Sequence, residues 1–578
     1  MKKSSIVLTS FVSIVASILV GCSNSSNFTG GAVKANPSSE TGLRPLQTQE
    51  LVQDFAQEIQ LFKSYYGPYN YKQDRFSFNI DALATQLSAK IAAAKTEDEA
   101  LGYMYQFGAN LHDGHVQIKH SLSSSWISKY SLPFGVTAVE GKALVAVVNK
   151  DQLKDANIAV GDELVTLDGK TPNEYLAILL KYRSWATDES NKHMIAYITS
   201  RPSFATEVKP PKETATAVFK KANGTVNQVE IPWTVVKYNP KEADYYKPGM
   251  ELLAAGVDDF NEALQNSIFE MGSVKPFFGS DNVKQKYKWV EVYASDTARA
   301  DAGLGKDEKP PVYSAIYRFQ GKTILLVRSS SYAPSDYSAE VYLKYYKAIM
   351  KEYESVADVL VVDQTHNPGG NGEYCTNLAS MLLTGGTNNA PVQMCNADRK
   401  WIDDFIHESA SDPKNENPNM TRLTVAAAHS IEKAYDEGKK LSEALPIFTG
   451  GFKLTPFGGY SWKKPKLVLI DELAGSCGDV FPMILRDNKA TKFFGQTTMG
   501  LGGNVEEVGT LNNSRISIKV TRGLFMTYKE SNKYDAADYI ENNGVRPDYP
   551  YTHTVDDFRS GFVGYVQKFS EKAIEQIN

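Results

Sequence analysis

An α/β core that carries an inserted β-rich module and follows a small helical subdomain is the architecture this sequence predicts. Three observations lead to it. Leu467, Val468, Leu469 and Ile470 form a short, continuously apolar run, as expected of a parallel strand covered on both faces, and VLVVDQ at 359–364 repeats the pattern. With KTILLVRSSSY at 322–332 and the helical stretch ending near Ser355, VLVVDQ completes a β-α-β unit. From residue 132 to about 233 the chain instead alternates short β-branched runs with turns, the mark of a separate β module.

With 578 residues the chain is too long for one core, and roughly three or four domains are expected. Lys2 and Lys3, then an apolar run to Val20, read as a secretory signal, too short and too N-terminal to span a membrane in the mature protein. Leu19, Val20, Gly21 and Cys22 resemble the bacterial lipobox. That resemblance implies lipidation at Cys22, and Ser23 after it implies the outer membrane, facing the periplasm. Residues 1–21 are thus the expected lipoprotein signal peptide, and 22–45, rich in Ser, Asn and Gly, a flexible tether to a lipid bilayer. A net charge of −5 without a long basic block argues against a nucleic-acid partner.

Residues 46–125 are expected to be the helical subdomain, because LVQDFAQEIQLFKSYY and IDALATQLSAKIAAA show helical spacing. The β-rich module takes 126–237, with LPFGVTAV, ALVAVV and GDELVTLDGK as its runs. Residues 238–311, rich in tyrosine and lysine without periodicity, read as an irregular insertion. The α/β core takes 312–560, interrupted by an insertion at 371–459, and 561–578 is expected to be a terminal helix. Beyond Cys22 the cysteines are Cys375, Cys395 and Cys477. In an oxidising compartment one pair can bridge; Cys375 with Cys395 is the expected pair, which leaves Cys477 buried beside Ser476, although sequence does not fix connectivity.

The chemistry centres on Ser476. Gly475 and Gly478 let the chain bend tightly around it, and Val480, Phe481, Ile484 and Leu485 follow at helical spacing. Pro482 fits a helix that begins near Gly478 or Asp479. A serine just ahead of a helix N-terminus has unpaired N–H groups and the helix dipole at hand for developing negative charge. Alone, the turn fits an ordinary strand-loop-helix connection equally well. Acyl transfer also needs a base and oxyanion donors. Asn367, Pro368, Gly369 and Gly370 end a strand in a turn whose unhindered amides can face a cleft.

The order of these motifs resembles the S41 serine peptidases, the C-terminal processing proteases and the tricorn-core-like enzymes, whose catalytic core is of the ClpP/crotonase kind. The β module resembles a PDZ domain through LPFG followed by the GDELVTLDG corner, which implies that Leu132, Pro133, Phe134, Gly135 and Val136 hold a peptide's terminal carboxylate; a segment at 185–213 departs from the PDZ pattern and can cover the groove. The family resemblance places the nucleophile on Ser476, the acid three residues on at Asp479, and a further Asp at Asp487. It places the oxyanion amides at Gly369 or Gly370 and at Cys477. Processing proteases carry a lysine base where this chain has Leu501, and leucine accepts no proton; Lys489 and Lys492 do not match. The tricorn-like branch uses a histidine, and LHDGHVQI matches with His115, while YIENNGVRPD supplies Glu541 to orient it. The tetrad serine before that histidine is Gly114 here, so the relay is direct, through water, or through a residue such as Asp113.

His366, His112 and His120 are rivals to His115. His112 and His115 lack a Cys and carboxylate cluster to complete a metal site, so neither metal nor organic cofactor is expected. The reading is an exported serine endopeptidase acting on proteins or peptides, with their C-termini as one point of capture. The competing classes are a non-catalytic peptide-binding scaffold that has lost its lysine, and an acyl-CoA enzyme of crotonase type, against which export and the peptide module argue.

Overall fold

The apolar runs do become neighbouring parallel strands. The computed structural model describes residues 46–577 apart from 78, 120–127, 236–272, 334–335, 385–387, 411–417, 447–448 and 450. The expected signal peptide, Cys22 and His120 lie outside the described residues. The largest sheet runs Val290–Glu291, Ser314–Phe319, Lys322–Arg328, Val359–Asp363, Lys466–Ile470, Lys492–Gly495, Tyr549–Pro550. Its first three strands pair antiparallel, and every pair from Lys322–Arg328 onward is parallel.

Alternation along these strands explains their uniform apolarity. Leu325, Val327, Leu360, Val362, Val468 and Ile470 pack into one layer with side chains of the helices Ala339–Tyr353, Gly372–Ser380 and Cys477–Asp487. Ile324, Leu326, Val359, Val361, Leu467 and Leu469 pack on the opposite face, against Asp281–Tyr287 and Val563–Glu575. With both faces covered, the strand interiors are apolar, each buried side chain worth roughly 2 kcal/mol, and the polar Arg328 and Asp363 at the strand ends are buried as an ion pair.

The β module is a five-stranded antiparallel sheet in the order Phe134–Val139, Lys142–Val148, Glu163–Leu167, Thr214–Lys220, Val226–Pro232. Its helix Pro172–Leu179 starts with proline behind a capping box of Thr171 and Glu174. The N-terminal subdomain comprises Thr48–Tyr65, Tyr69–Phe76, Ile80–Ala93 and Glu97–Ala109, the last two capped by the Asn79 and Thr96 side chains. It is tied to the core by a short strand, Gln117–Lys119, which pairs antiparallel with Ser517–Thr521 and sets Ile118 opposite Ile518. That pairing carries the DGH turn to the far end of the sequence.

Three expectations change. Residues 281–302 are ordered rather than irregular, with Asp281–Tyr287 and Asp296–Ala302 capped by Ser280 and Ser295 and Val290–Glu291 extending the main sheet. The segment 371–459 is not all insertion: Gly372–Ser380 is a core helix, and Pro391–Cys395 pairs with Gly523–Thr527. Cys375 and Cys395 do not bridge; Cys375, Cys395 and Cys477 are all free thiols. Cys375 packs in the layer over the main sheet and Cys395 in a separate cluster with Trp401 and Ile431, so the two belong to different cores.

Candidate active site

Ser476 stands where the strand Lys466–Ile470 passes into the helix Cys477–Asp487. It has φ 58° and ψ −118°, a conformation a side-chain-bearing residue holds only under local strain. The bend is imposed from outside: the Gly475 N–H donates to the Asn367 carbonyl at 2.9 Å, and a Cβ at Gly478 would lie 2.5 Å from that same oxygen. The helix starts at Cys477, earlier than expected, which puts Pro482 inside it. Proline has no N–H for the Gly478 carbonyl, and the Gln364 side chain donates to that oxygen instead at 2.9 Å. Asp487, at the far end of the helix, accepts from the Thr527 hydroxyl.

The NPGG turn lies against this bend. A Cβ on Gly369 (φ 95°) would fall 2.6 Å from the Ser476 Cβ, and one on Gly370 (φ 138°) 2.1 Å from the Tyr332 carbonyl carbon. Both glycines are sterically required. Their amides differ. The Gly369 N–H donates to Asn367 Oδ1 at 2.9 Å, so Gly369 is not an oxyanion donor, contrary to expectation. The Gly370 and Cys477 N–H groups have no acceptor among the described residues, and the Cys477 thiol donates to the Gly370 carbonyl at 3.0 Å, which links the two. The neighbouring Cys375 thiol and burial push the Cys477 thiol well above its ordinary range, so it stays protonated and is a poor nucleophile.

The loop where a lysine was expected organises the rest. Asp479 accepts from the Gly500 and Leu501 N–H groups at 2.8 and 2.9 Å, and Glu541 from the Gly502 N–H at 2.8 Å. Burial raises the Asp479 carboxyl to about 6 against these hydrogen bonds. The Leu501 side chain packs between two glycines: a Cβ on Gly114, beside His115, would lie 3.0 Å from Leu501 Cδ2, and one on Gly475, beside Ser476, 3.1 Å from Cδ1. The histidine turn and the serine turn thus face one leucine from two sides.

His115 is buried, and its backbone N–H donates to Asp113 Oδ1 at 2.9 Å. Asp113 is held in turn by the Tyr66 and Thr521 hydroxyls at 3.0 and 2.8 Å. Burial lowers the imidazole to about 4, with Asp113 opposing and Lys519 and Lys72 adding to the shift. Its Nδ1 has no hydrogen-bond partner among the described residues. Sequence assigned Glu541 to orient this ring; among the described residues it makes no hydrogen bond to the ring, and its carboxylate accepts from Lys72 and from the Gly502 amide. Burial and Asp113 raise the Glu541 carboxyl to about 7, and Lys72 pulls it back. The rivals are engaged elsewhere. His366 Nε2 lies 3.2 Å from Asp471 and its ring stacks on Phe277, while His112 pairs with the Ser184 hydroxyl at 3.1 Å and stacks on Phe76. Lys492 pairs with Asp548 at the surface.

The expected carboxylate loop of the β module is closed. Leu132, Pro133, Phe134, Gly135 and Val136 are all buried. The Leu132 N–H donates to the Thr199 carbonyl at 2.9 Å, and Ser128–Ser131 pairs with Ser200–Pro202. Thr199 and Ser200–Pro202, within the 185–213 segment, thus lie against the start of this loop. Sequence reasoning missed Lys72 and Asn542; the bond from Lys72 to Glu541 spans 469 residues, and no local motif marks Lys72.

Sheet, strained serine turn and adjacent amides fit a serine peptidase, and the sequence comparisons agree. Residues 323–551 match peptidase family S41 and residues 128–246 a PDZ domain, so the chain carries a peptidase S41 domain and a PDZ domain. It is 26% identical to a protein of Chlamydia pneumoniae over 558 residues, covering 87% of this chain and 86% of that one. A protein of Chlamydia trachomatis serovar D is 22% identical over 587 residues, with 92% and 95% covered. Among solved structures, mature CPAF complexed with lactacystin shares the fold at a TM-score of 0.70 and 20% identity, covering 92% of this chain and 99% of that one. Mature CPAF alone gives 0.71 at 20% identity, covering 92% of this chain and 98% of that one. These likenesses do not favour the non-catalytic scaffold.

Proposed function

We propose that the protein is an exported, lipid-anchored serine endopeptidase in which Ser476 is the nucleophile and His115 the base. The observation that carries this reading is the strained Ser476 turn beside the N–H groups of Gly370 and Cys477, which have no acceptor among the described residues. Strain of this kind persists where the surrounding structure over-determines it, and it clusters at active sites. Ser476 Oγ forms a bond to the scissile carbonyl carbon as its proton passes to the imidazole, and the carbonyl oxygen takes the negative charge between the two amides. Collapse breaks the C–N bond, and the imidazolium returns the proton to the leaving amine. Water then repeats the sequence on the acyl-serine. A base lowered to about 4 is neutral, and so competent to accept a proton, at every pH above that.

Glu541 supports the base from behind the Gly502 amide rather than by direct contact. With the Leu132 N–H already bonded to Thr199 and residues 132–136 buried, capture of a substrate C-terminus is not part of this reading. Export and anchoring rest on residues 1–22 and predict that Cys22→Ser releases the protein from the membrane fraction. For the activity, the purified protein is expected to cleave an unstructured protein substrate and Ser476→Ala to leave it intact. Cleavage by Ser476→Ala at the wild-type rate would end the assignment.

A further inference from the structure

The helix Tyr69–Phe76 grips two loops from opposite ends of the chain. Lys72 Nζ donates to the Glu541 carboxylate, to Asn542 Oδ1 at 2.6 Å and to the His112 carbonyl at 2.9 Å. Three acceptors use all three N–H bonds of the ammonium, and both Lys72 and Glu541 side chains are wholly buried. The same helix adds the Tyr71 hydroxyl on the Glu541 carbonyl at 2.7 Å, Arg75 on the Asn542 carbonyl at 2.9 Å, and Phe76 stacked on the His112 ring at 4.2 Å. Asn542 closes the ring by donating to the same His112 carbonyl at 2.7 Å. His112 is three residues before His115 and has φ 48°, so its conformation is held by these contacts and not by local preference.

We infer that Lys72 is a positioning residue of the reaction: it keeps Glu541 a carboxylate behind the Gly502 amide and fixes the turn that presents His115. This rests on the reading of Ser476 and His115 as nucleophile and base. The groups facing Glu541 are Lys72, Asp113, Tyr66 and Tyr71, of which Lys72 is the cation. Without it, a carboxylate buried beside Asp113 takes up a proton, because an isolated buried charge costs more than a neutral acid. A neutral Glu541 no longer balances the imidazolium formed as Ser476 reacts. The loop that Glu541 holds is the one whose Leu501 packs against both the His115 and Ser476 turns, so the consequence reaches the reacting atoms through one packed side chain. A pair that served the fold alone would leave the pH dependence of the serine unchanged.

The test is the rate of Ser476 phosphonylation by a fluorophosphonate probe across pH. In the wild type the acid limb is expected near 7, where Glu541 ionises. In Lys72→Met the limb is expected to move up by about one to two pH units, with the rate at neutral pH falling about tenfold or more. In a Glu541→Gln background, Lys72→Met should move no limb. A wild type that never labels overturns the serine reading and this inference together. A labelling wild type whose profile superimposes on that of Lys72→Met overturns this inference alone. If Lys72→Met does not fold, Lys72→Arg decides: charge kept and geometry altered predicts an unmoved limb with the rate down about three- to tenfold, and an unchanged rate overturns the inference.

Discussion

Ser476, Gly370 and Cys477 stand at the ends of adjacent strands of one sheet, whereas His115, Glu541 and Lys72 reach the site from three segments remote from one another in sequence. The nucleophile side is held by backbone: the Asn367 carbonyl, the Gly369 and Gly370 contacts and the first turn of a helix, all within about one loop's reach of paired strands. The base side is held largely by side chains: beyond the short strand Gln117–Lys119, a buried ion pair and an amide fix its turns. A backbone-built half keeps its geometry through most side-chain substitutions, while a side-chain-built half depends on each charge being matched. One half is therefore expected to fail by steric intrusion and the other by loss of a charge or a proton acceptor.

Substitutions that test this division fall in a clear order. His115→Ala removes the proton acceptor and is expected to lower kcat/KM about 10³-fold or more with KM little changed, read by steady-state cleavage of a peptide substrate. Gly370→Ala leaves every charge in place but puts a Cβ 2.1 Å from the Tyr332 carbonyl carbon. The displaced amide should cost about 10²-fold in kcat, with lowered thermal stability as the accompanying sign. A Gly370→Ala enzyme of full activity would show that the nucleophile side is not set by this backbone contact.

The smallest effect is one of stability. His115 is held at about 4 when folded, against 6.5 as its ordinary value, so the unfolded chain binds a proton at higher pH than the folded one. This contribution is fully present above 6.5 and is lost as pH falls toward 4, amounting to about 3 kcal/mol. Denaturant unfolding at pH 7 and pH 4 should show a smaller loss in His115→Ala than in the wild type. An equal loss would mean that the buried imidazole is not what destabilises the acid form.

The two halves were also unequally legible in the sequence. The strands, Ser476, NPGG and the Gly370 and Cys477 amides could be read because apolar runs and glycine turns are local signals with local causes. Gly369 looked equivalent to Gly370, and only the Asn367 side chain distinguishes them, by consuming one of the two N–H groups. On the base side His115 was found by motif, yet the partner of Glu541 was misjudged, because the ammonium that binds it comes from an unremarked helix 469 residues away. The PDZ loop is half legible: the 185–213 segment stands out in sequence as able to cover the groove, whereas the pairing of Ser200–Pro202 with Ser128–Ser131 does not. Leu501 was seen as a missing lysine, while its packing between the histidine and serine turns emerged only from the fold.

The account stands on Ser476 being activated by its surroundings. Incubation of the folded protein with a fluorophosphonate, followed by proteolytic digestion and mass spectrometry, reads this directly. One phosphonyl group on the peptide containing Ser476 is predicted, with the adduct lost in Ser476→Ala and strongly slowed in His115→Ala. An adduct on another residue, or equal labelling of Ser476 with and without His115, would contradict it.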